Sequence, residues 1–225
     1  MKPHKLIGVL EMSQASTQFY IDLINEKYSN GLSIDSQPFK LISTDFKAIN
    51  KLLPKRSVKL DTLITTYLQD IPANDIECVL IPNITIHETV DAVSSKIDFT
   101  IPLAHPILGS IKRMRKASKS KAVLFGTAYT MTSEYIKIVF ANSDIKIEEP
   151  KPEDLQFIDW IRREVYSESI SAEAVKKFND LVETYSDDTT VLLACTELSL
   201  VSKISNDCVL DMAAIQVEEA ISMKS

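Results

Sequence analysis

Apolar residues in this chain come in short runs separated by longer amphipathic stretches. The runs are KLIGVL (5–10), FKLIST (39–44), CVLIPN (78–83), KAVLFGT (121–127), IKIEEP (145–150) and TVLLAC (190–195). Several are continuous rather than alternating, the pattern of strands buried on both faces of a parallel sheet. Between the runs the period lengthens to that of a helix. Residues 15–28 put Phe19, Ile21, Leu23 and Ile24 near one face, and residues 58–71 space Leu60, Leu63, Ile64 and Leu68 in the same way. Residues 172–185 and 211–221 have similar patterns. This alternation predicts an α/β fold with largely parallel sheets flanked by helices.

The order of elements runs through twice. One half opens with LIGVLEMS and closes with CVLIPNITIHE; the other opens with KAVLFGTAYTMTSEY and closes with TVLLACTELSL. Each closes on a buried strand, a polar turn and a helix. Asn83 stands at the first closing turn and Cys195 at the second, 112 residues later. Two pseudo-symmetric lobes are therefore expected, residues 1–100 with 210–225 forming one and 101–209 the other. The stretch DFTIPLAHPILGS, with Pro102, Pro106 and Gly109, marks the first boundary. Open α/β sheets bind ligands at the carboxyl ends of their strands. The expected active site is a cleft between the lobes, with Asn83 and Cys195 aimed into it.

Composition narrows the function classes. The chain has 225 residues, 45% of them hydrophobic, enough for a well-buried core. A net charge of -6 argues against a nucleic-acid partner. The basic run KRMRKASKSK (112–121) is read as a solvated helix face and loop. No apolar stretch approaches the roughly 20 residues that cross a bilayer, and the N-terminal run reads as a strand rather than a signal peptide. A cytoplasmic location with no membrane contact follows as an expectation. Three cysteines, Cys78, Cys195 and Cys208, are odd in number and sparse, which argues against a disulfide framework. Together with His4, His87 and His105 they lack the spacing of a metal site. Cys78 lies inside an apolar strand and is read as core.

The turns carry a resemblance. ACTELSL (194–200) resembles the Gly-Cys-Thr-Glu-Leu turn of the aspartate/glutamate racemase family, the cofactor-independent amino-acid racemases, with Ala194 for the glycine. NITIH (83–87) is similar to that family's Cys-Asn-Thr-x-His turn in Thr85 and His87. FGTAYTM (125–131) looks like its Gly-Thr-x-x-Thr-Met turn, and IGVLEMS (7–13) like its opening strand and turn. Residues 30–49 resemble its Gly-Gly-x-His-Ser…Asp-Phe segment, and Asp211 sits where the family has an aspartate opening the last helix.

The resemblance implies a homodimeric isomerase needing no cofactor or metal and acting on a small amino acid or other small carboxylate. It implies two cysteines on opposite faces of the substrate α-carbon, one removing the proton and the other returning one. Cys195 would be one of them, its thiolate favoured by the helix that follows. Thr85, Thr127, Thr130 and Thr196 would cradle the α-carboxylate or cap helices, with Met12, Ser13 and Glu197 beside the substrate. Lys47, Arg162 and Arg163 are cations near the expected place of a distal-carboxylate partner, a solvated role being favoured for each.

Asn83 departs from the pattern. An amide neither takes nor gives a proton near neutral pH. Three routes stay open. Glu11, at the end of the first strand, or His87 could serve as the second acid–base group. One-sided chemistry by Cys195 alone, as in a decarboxylase or lyase on the same fold, is the second. The third is a non-catalytic carboxylate-binding protein.

Overall fold

The computed structural model describes residues 6–29 and 38–223. Residues 30–37, on which part of the Gly-Gly-x-His-Ser resemblance falls, and His4 lie outside the described residues. The described chain forms two compact units. It passes from the first to the second between His105 and Pro106 and returns between Ile215 and Gln216.

In the first unit the order is β1 (Leu6–Leu10), α1 (Gln14–Ser29), β2 (Phe39–Ile42), α2 (Phe46–Asn50), α3 (Val58–Gln69), β3 (Ile76–Leu80) and α4 (His87–Ser94). The strands pair in the order β2-β1-β3, all parallel. Leu103 adds a single bridge beside Val79, and the neighbouring backbone bonds of Pro102 and Ala104 hold residues 102–104 to β3. Leu10, Ile64, Leu68, Val79, Ile86 and Val90 share one buried cluster, so the apolar faces of α3 and α4 cover the strands. Removing such apolar surface from water is the main drive for the assembly. Ser57 caps α3 by accepting the Leu60 N–H.

The second unit runs α5 (Pro106–Lys116), β4 (Lys121–Phe125), α6 (Ala128–Met131), α7 (Glu134–Ala141), β5 (Lys146–Glu148), α8 (Pro152–Tyr166), α9 (Ala172–Asp188), β6 (Thr190–Leu193), α10 (Thr196–Val201) and β7 (Val209–Asp211). Its sheet has the order β5-β4-β6-β7, again parallel throughout. The last helix, α11 (Met212–Met223), starts in this unit and ends in the first. Both sheets are parallel and flanked by helices, the α/β class the sequence predicts.

Several details differ from the sequence pattern. The third apolar run is shifted: the strand is Ile76–Leu80, and residues 81–83 form the turn after it. The IKIEEP run yields only three strand residues, Lys146–Glu148, and Pro150, which has no N–H to donate, follows close behind. Strand β7 and helix α8 have no counterpart in the expected elements. The basic run behaves as read: Ile111 and Met114 are buried while Lys112, Arg113, Arg115 and Lys116 are exposed. Cys78 is fully buried in β3, as expected of a core residue. Among the described residues, no helix is long and apolar enough to cross a membrane.

Candidate active site

In the second unit, two turns leave adjacent strands side by side. Phe125 of β4 pairs with Leu193 of β6, and the Ala194 N–H donates to the Phe125 carbonyl at 2.7 Å. The turns approach closely enough that a Cβ at Gly126 would lie 3.3 Å from the Ala194 carbonyl oxygen. A side chain there would have to press the Ala194 carbonyl and Thr130 apart by a few tenths of an ångström. Thr127 caps α6, its hydroxyl accepting the Thr130 N–H at 3.0 Å and meeting the Thr130 hydroxyl at 2.9 Å. Thr127 is thus the cap, and Thr130 the third residue, of a short helix at the carboxyl end of the sheet.

Cys195 is the N-cap residue of α10, on the neighbouring strand end. Its Sγ–H donates to Glu197 Oε2 at 2.8 Å, and the Thr196 hydroxyl donates to the same oxygen at 3.2 Å. Burial pushes the Cys195 thiol well above its ordinary range, and the Glu197 carboxylate adds to the rise. The Arg162 charge and the Glu197 backbone N–H pull the other way and are outweighed. This corrects the expectation that the helix terminus would favour a thiolate. A helix of six residues supplies a weak dipole, whereas a carboxylate at contact distance opposes a second negative charge directly.

Helix α8 brings a second layer that the sequence reading placed in solvent. Asp159 accepts the Ala128 N–H at 3.1 Å and Arg162 Nε at 3.2 Å, tying the α6 turn to α8. The Arg162 side chain is 23% exposed, against 60% for Arg163. Of these two arginines it is the more shielded Arg162 whose charge acts on the thiol. The i,i+3 spacing of Asp159 and Arg162 was the available signal. Asp211, at the end of β7, caps α11 by accepting the Ala213 N–H at 2.8 Å and the Ala214 N–H at 3.3 Å. Burial raises its pKa, and the Ser199 hydroxyl bond partly offsets that rise.

In the first unit the corresponding turns also gather at the carboxyl ends of adjacent strands. Glu11 follows β1, bonding its backbone N–H to Ile42 O at 2.9 Å. Its Oε2 accepts the Ser43 hydroxyl at 2.6 Å, and Thr44 Oγ1 donates to its backbone carbonyl. Met12 is buried and its N–H donates to Thr17 Oγ1 at 2.9 Å, while Ser13 Oγ accepts the Ser16 N–H at 3.1 Å and so starts α1. Lys47 is exposed on α2. After β3, the Asn83 side chain accepts the Ile86 N–H at 3.1 Å, a local bond that shapes the turn. Thr85 is half-buried in the same turn.

His87 lies beneath that turn rather than at its surface. It is fully buried, with Nδ1 2.9 Å from the Asn83 carbonyl and the His105 ring packed edge-on at 4.7 Å. Burial first, and then the His105 charge, lower its pKa to about 3. A histidine neutral at ordinary pH and enclosed by protein is a structural donor, which sets it apart from Glu11 as an acid–base group. The folded pKa lies below the value of 6.5 for an unperturbed ring. Between those limits the unfolded chain binds a proton that the folded chain refuses. Stability is therefore fully present above about pH 6.5 and falls as pH drops toward 3, with a slope from this group approaching about 1.4 kcal/mol per pH unit. His87→Asn keeps a hydrogen-bonding δ position and removes the titration. The stability difference between wild type and this variant should shrink between pH 7 and pH 5 in urea midpoints; a constant difference would contradict the assignment.

Among the described residues, no group of three or more His, Cys, Asp or Glu side chains is placed to hold a metal ion.

Comparison with known proteins places the chain. The family model for Asp/Glu/hydantoin racemase matches residues 7–220. No curated protein matches. Among solved structures, an aspartate racemase homologue from Pyrococcus horikoshii has a TM-score of 0.82 at 21% identity, covering 98% of this chain and 99% of that one. A candidate Asp/Glu racemase from Yersinia pestis has a TM-score of 0.83 at 21% identity, covering 98% and 100%. The aspartate racemase of Picrophilus torridus has a TM-score of 0.71 at 16% identity, covering 96% and 94%. At these identities the structures establish a shared fold. The family match spans nearly all the chain, which belongs to the Asp/Glu/hydantoin racemase family.

Proposed function

We propose that this protein is a cofactor-independent, racemase-type isomerase that moves a proton at the α-carbon of a small amino acid, aspartate- or glutamate-like, with Cys195 as the thiol acid–base. The observation that carries the reading is the Cys195–Glu197 pair at the head of α10, beside the Thr127 turn. At neutral pH the thiol is protonated, and it points its proton at a carboxylate that can accept it. The resting pair can deliver a proton to a carbanion, and the thiolate that would remove one forms more readily as pH rises. The Thr127, Thr130 and Thr196 hydroxyls beside the thiol are the groups proposed to meet a substrate carboxylate.

Racemisation needs a second acid–base group. Asn83 offers none, its side chain being engaged with Ile86. Glu11, held by Ser43 at a strand end, is the residue proposed for that role. The protonated state of Cys195 also favours a second reading, one-sided delivery of a proton after a decarboxylation or elimination.

The test is α-proton exchange in D₂O, followed by NMR over a panel of L- and D-amino acids. Cys195-dependent exchange with inversion, abolished by Glu11→Gln, supports the racemase with Glu11 as second base. Exchange with retention supports the one-sided reading. No exchange with any substrate, together with recovery in Asn83→Cys, would mean that the natural reaction is not amino-acid racemisation.

A further inference from the structure

The three thiols of the chain meet three different neighbours. Cys78 donates to the Ala220 carbonyl at 3.3 Å from a fully buried position. Cys195 donates to a carboxylate. Cys208 meets an ammonium: Lys119 Nζ lies 3.0 Å from its Sγ, although 89 residues separate the two. The pairing is held by backbone on both sides. The Lys119 N–H closes the end of α5 by donating to Met114 O at 2.9 Å. The Cys208 carbonyl accepts the Val191 N–H at 2.8 Å, and its own N–H donates to Asn206 Oδ1 at 2.8 Å. Both side chains are half-buried and so within reach of solvent.

We infer that Lys119 and Cys208 form an oxidation site, in which a peroxide converts their contact into a covalent sulfur–nitrogen link. The half-buried Cys208 sulfur has a nitrogen nucleophile and proton donor 3.0 Å away, whereas Cys195 has a carboxylate at that place and the core around Cys78 excludes the oxidant. The thiolate sulfur attacks one peroxide oxygen and the O–O bond breaks. The departing oxygen takes a proton from the Lys119 ammonium and leaves as water. Sulfur has lost two electrons to the peroxide, giving a sulfenic acid beside a neutral amine. The amine nitrogen then attacks the sulfenyl sulfur, the S–O bond breaks, and a second water departs with one amine proton. A sulfenic acid condenses with a nitrogen nucleophile in this way when one is within contact. The link joins the turn after α5 to the turn before β7 and leaves Cys195 untouched, so it stands apart from the proposed catalysis.

The full-length protein is treated with stoichiometric hydrogen peroxide and its intact mass and peptide map are measured. A mass lower by about 2 Da, with the Lys119 and Cys208 peptides joined and released by dithiothreitol, is expected. In Lys119→Arg the charge stays and the link is lost, and dimedone should now trap the Cys208 sulfenic acid. Cys208→Ser should show no mass loss. Oxygen gained at Cys208 of the wild type with the peptides unlinked, a link that retains an oxygen atom, or oxidation of Cys195 ahead of Cys208 would each overturn the inference.

Discussion

Cys195→Ala is expected to lower Cα–H exchange by about 10³-fold, within the range that a positioned acid–base group contributes. The Thr127 and Thr130 hydroxyls bond each other in a turn that does not depend on the thiol, so the loss should fall on turnover and leave apparent substrate affinity within a few-fold. A rate within tenfold of the wild type would remove Cys195 from the chemistry. The pH profile gives a second readout. The thiol sits well above its ordinary range because of burial and the Glu197 carboxylate. A step requiring the thiolate should therefore accelerate with rising pH through neutrality. Glu197→Gln removes the anion and leaves the Arg162 pull unopposed by it, which lowers the thiol pKa. The profile should move to lower pH, and an unmoved profile would mean that Glu197 does not control the proton.

The sequence shows the strands that lie deep in the sheets, because continuous apolar runs such as VLL in β6 have few other uses. It hides β7, whose three residues are only half-buried and carry no period. It also hides α8, where Ile158 and Ile161 are the buried residues amid Glu, Asp and Arg. At the site, the turns were legible because Thr127, Asn83 and Cys195 each follow an apolar strand. What those side chains touch was not. A helix-terminus argument predicts a thiolate at Cys195, and burial of the thiol together with a carboxylate two residues on reverses it. Ser43 reaches Glu11 from a different strand, and Asp159 reaches the Ala128 N–H from a different helix; contacts 31 or 32 residues apart leave no local pattern.

Gln216→Leu should destabilise the protein by about 3 kcal/mol while leaving side-chain volume nearly unchanged. Gln216 is fully buried on α11, in the first unit. Its Nε2 donates to Ala104 O at 2.8 Å and to Ile81 O at 3.3 Å, and its Oε1 accepts the Tyr20 hydroxyl at 2.8 Å. One amide thus joins α1, the residue that begins the turn after β3, and the segment that closes the first unit before Pro106. Leucine fills the space and offers none of these bonds. A buried polar group stripped of a partner costs roughly 1–3 kcal/mol, and Ile81 O keeps the Asn83 N–H at 2.7 Å, so the sum stays below three full losses. The urea midpoint should fall with an unchanged slope. A double-mutant cycle of Gln216→Leu with Tyr20→Phe should show coupling across their 2.8 Å bond, which a simple packing defect would not do. Because Ile81 precedes the Asn83 turn, the same variant should also raise amide exchange at Asn83 through His87. Unchanged protection there would limit Gln216 to a role in the core.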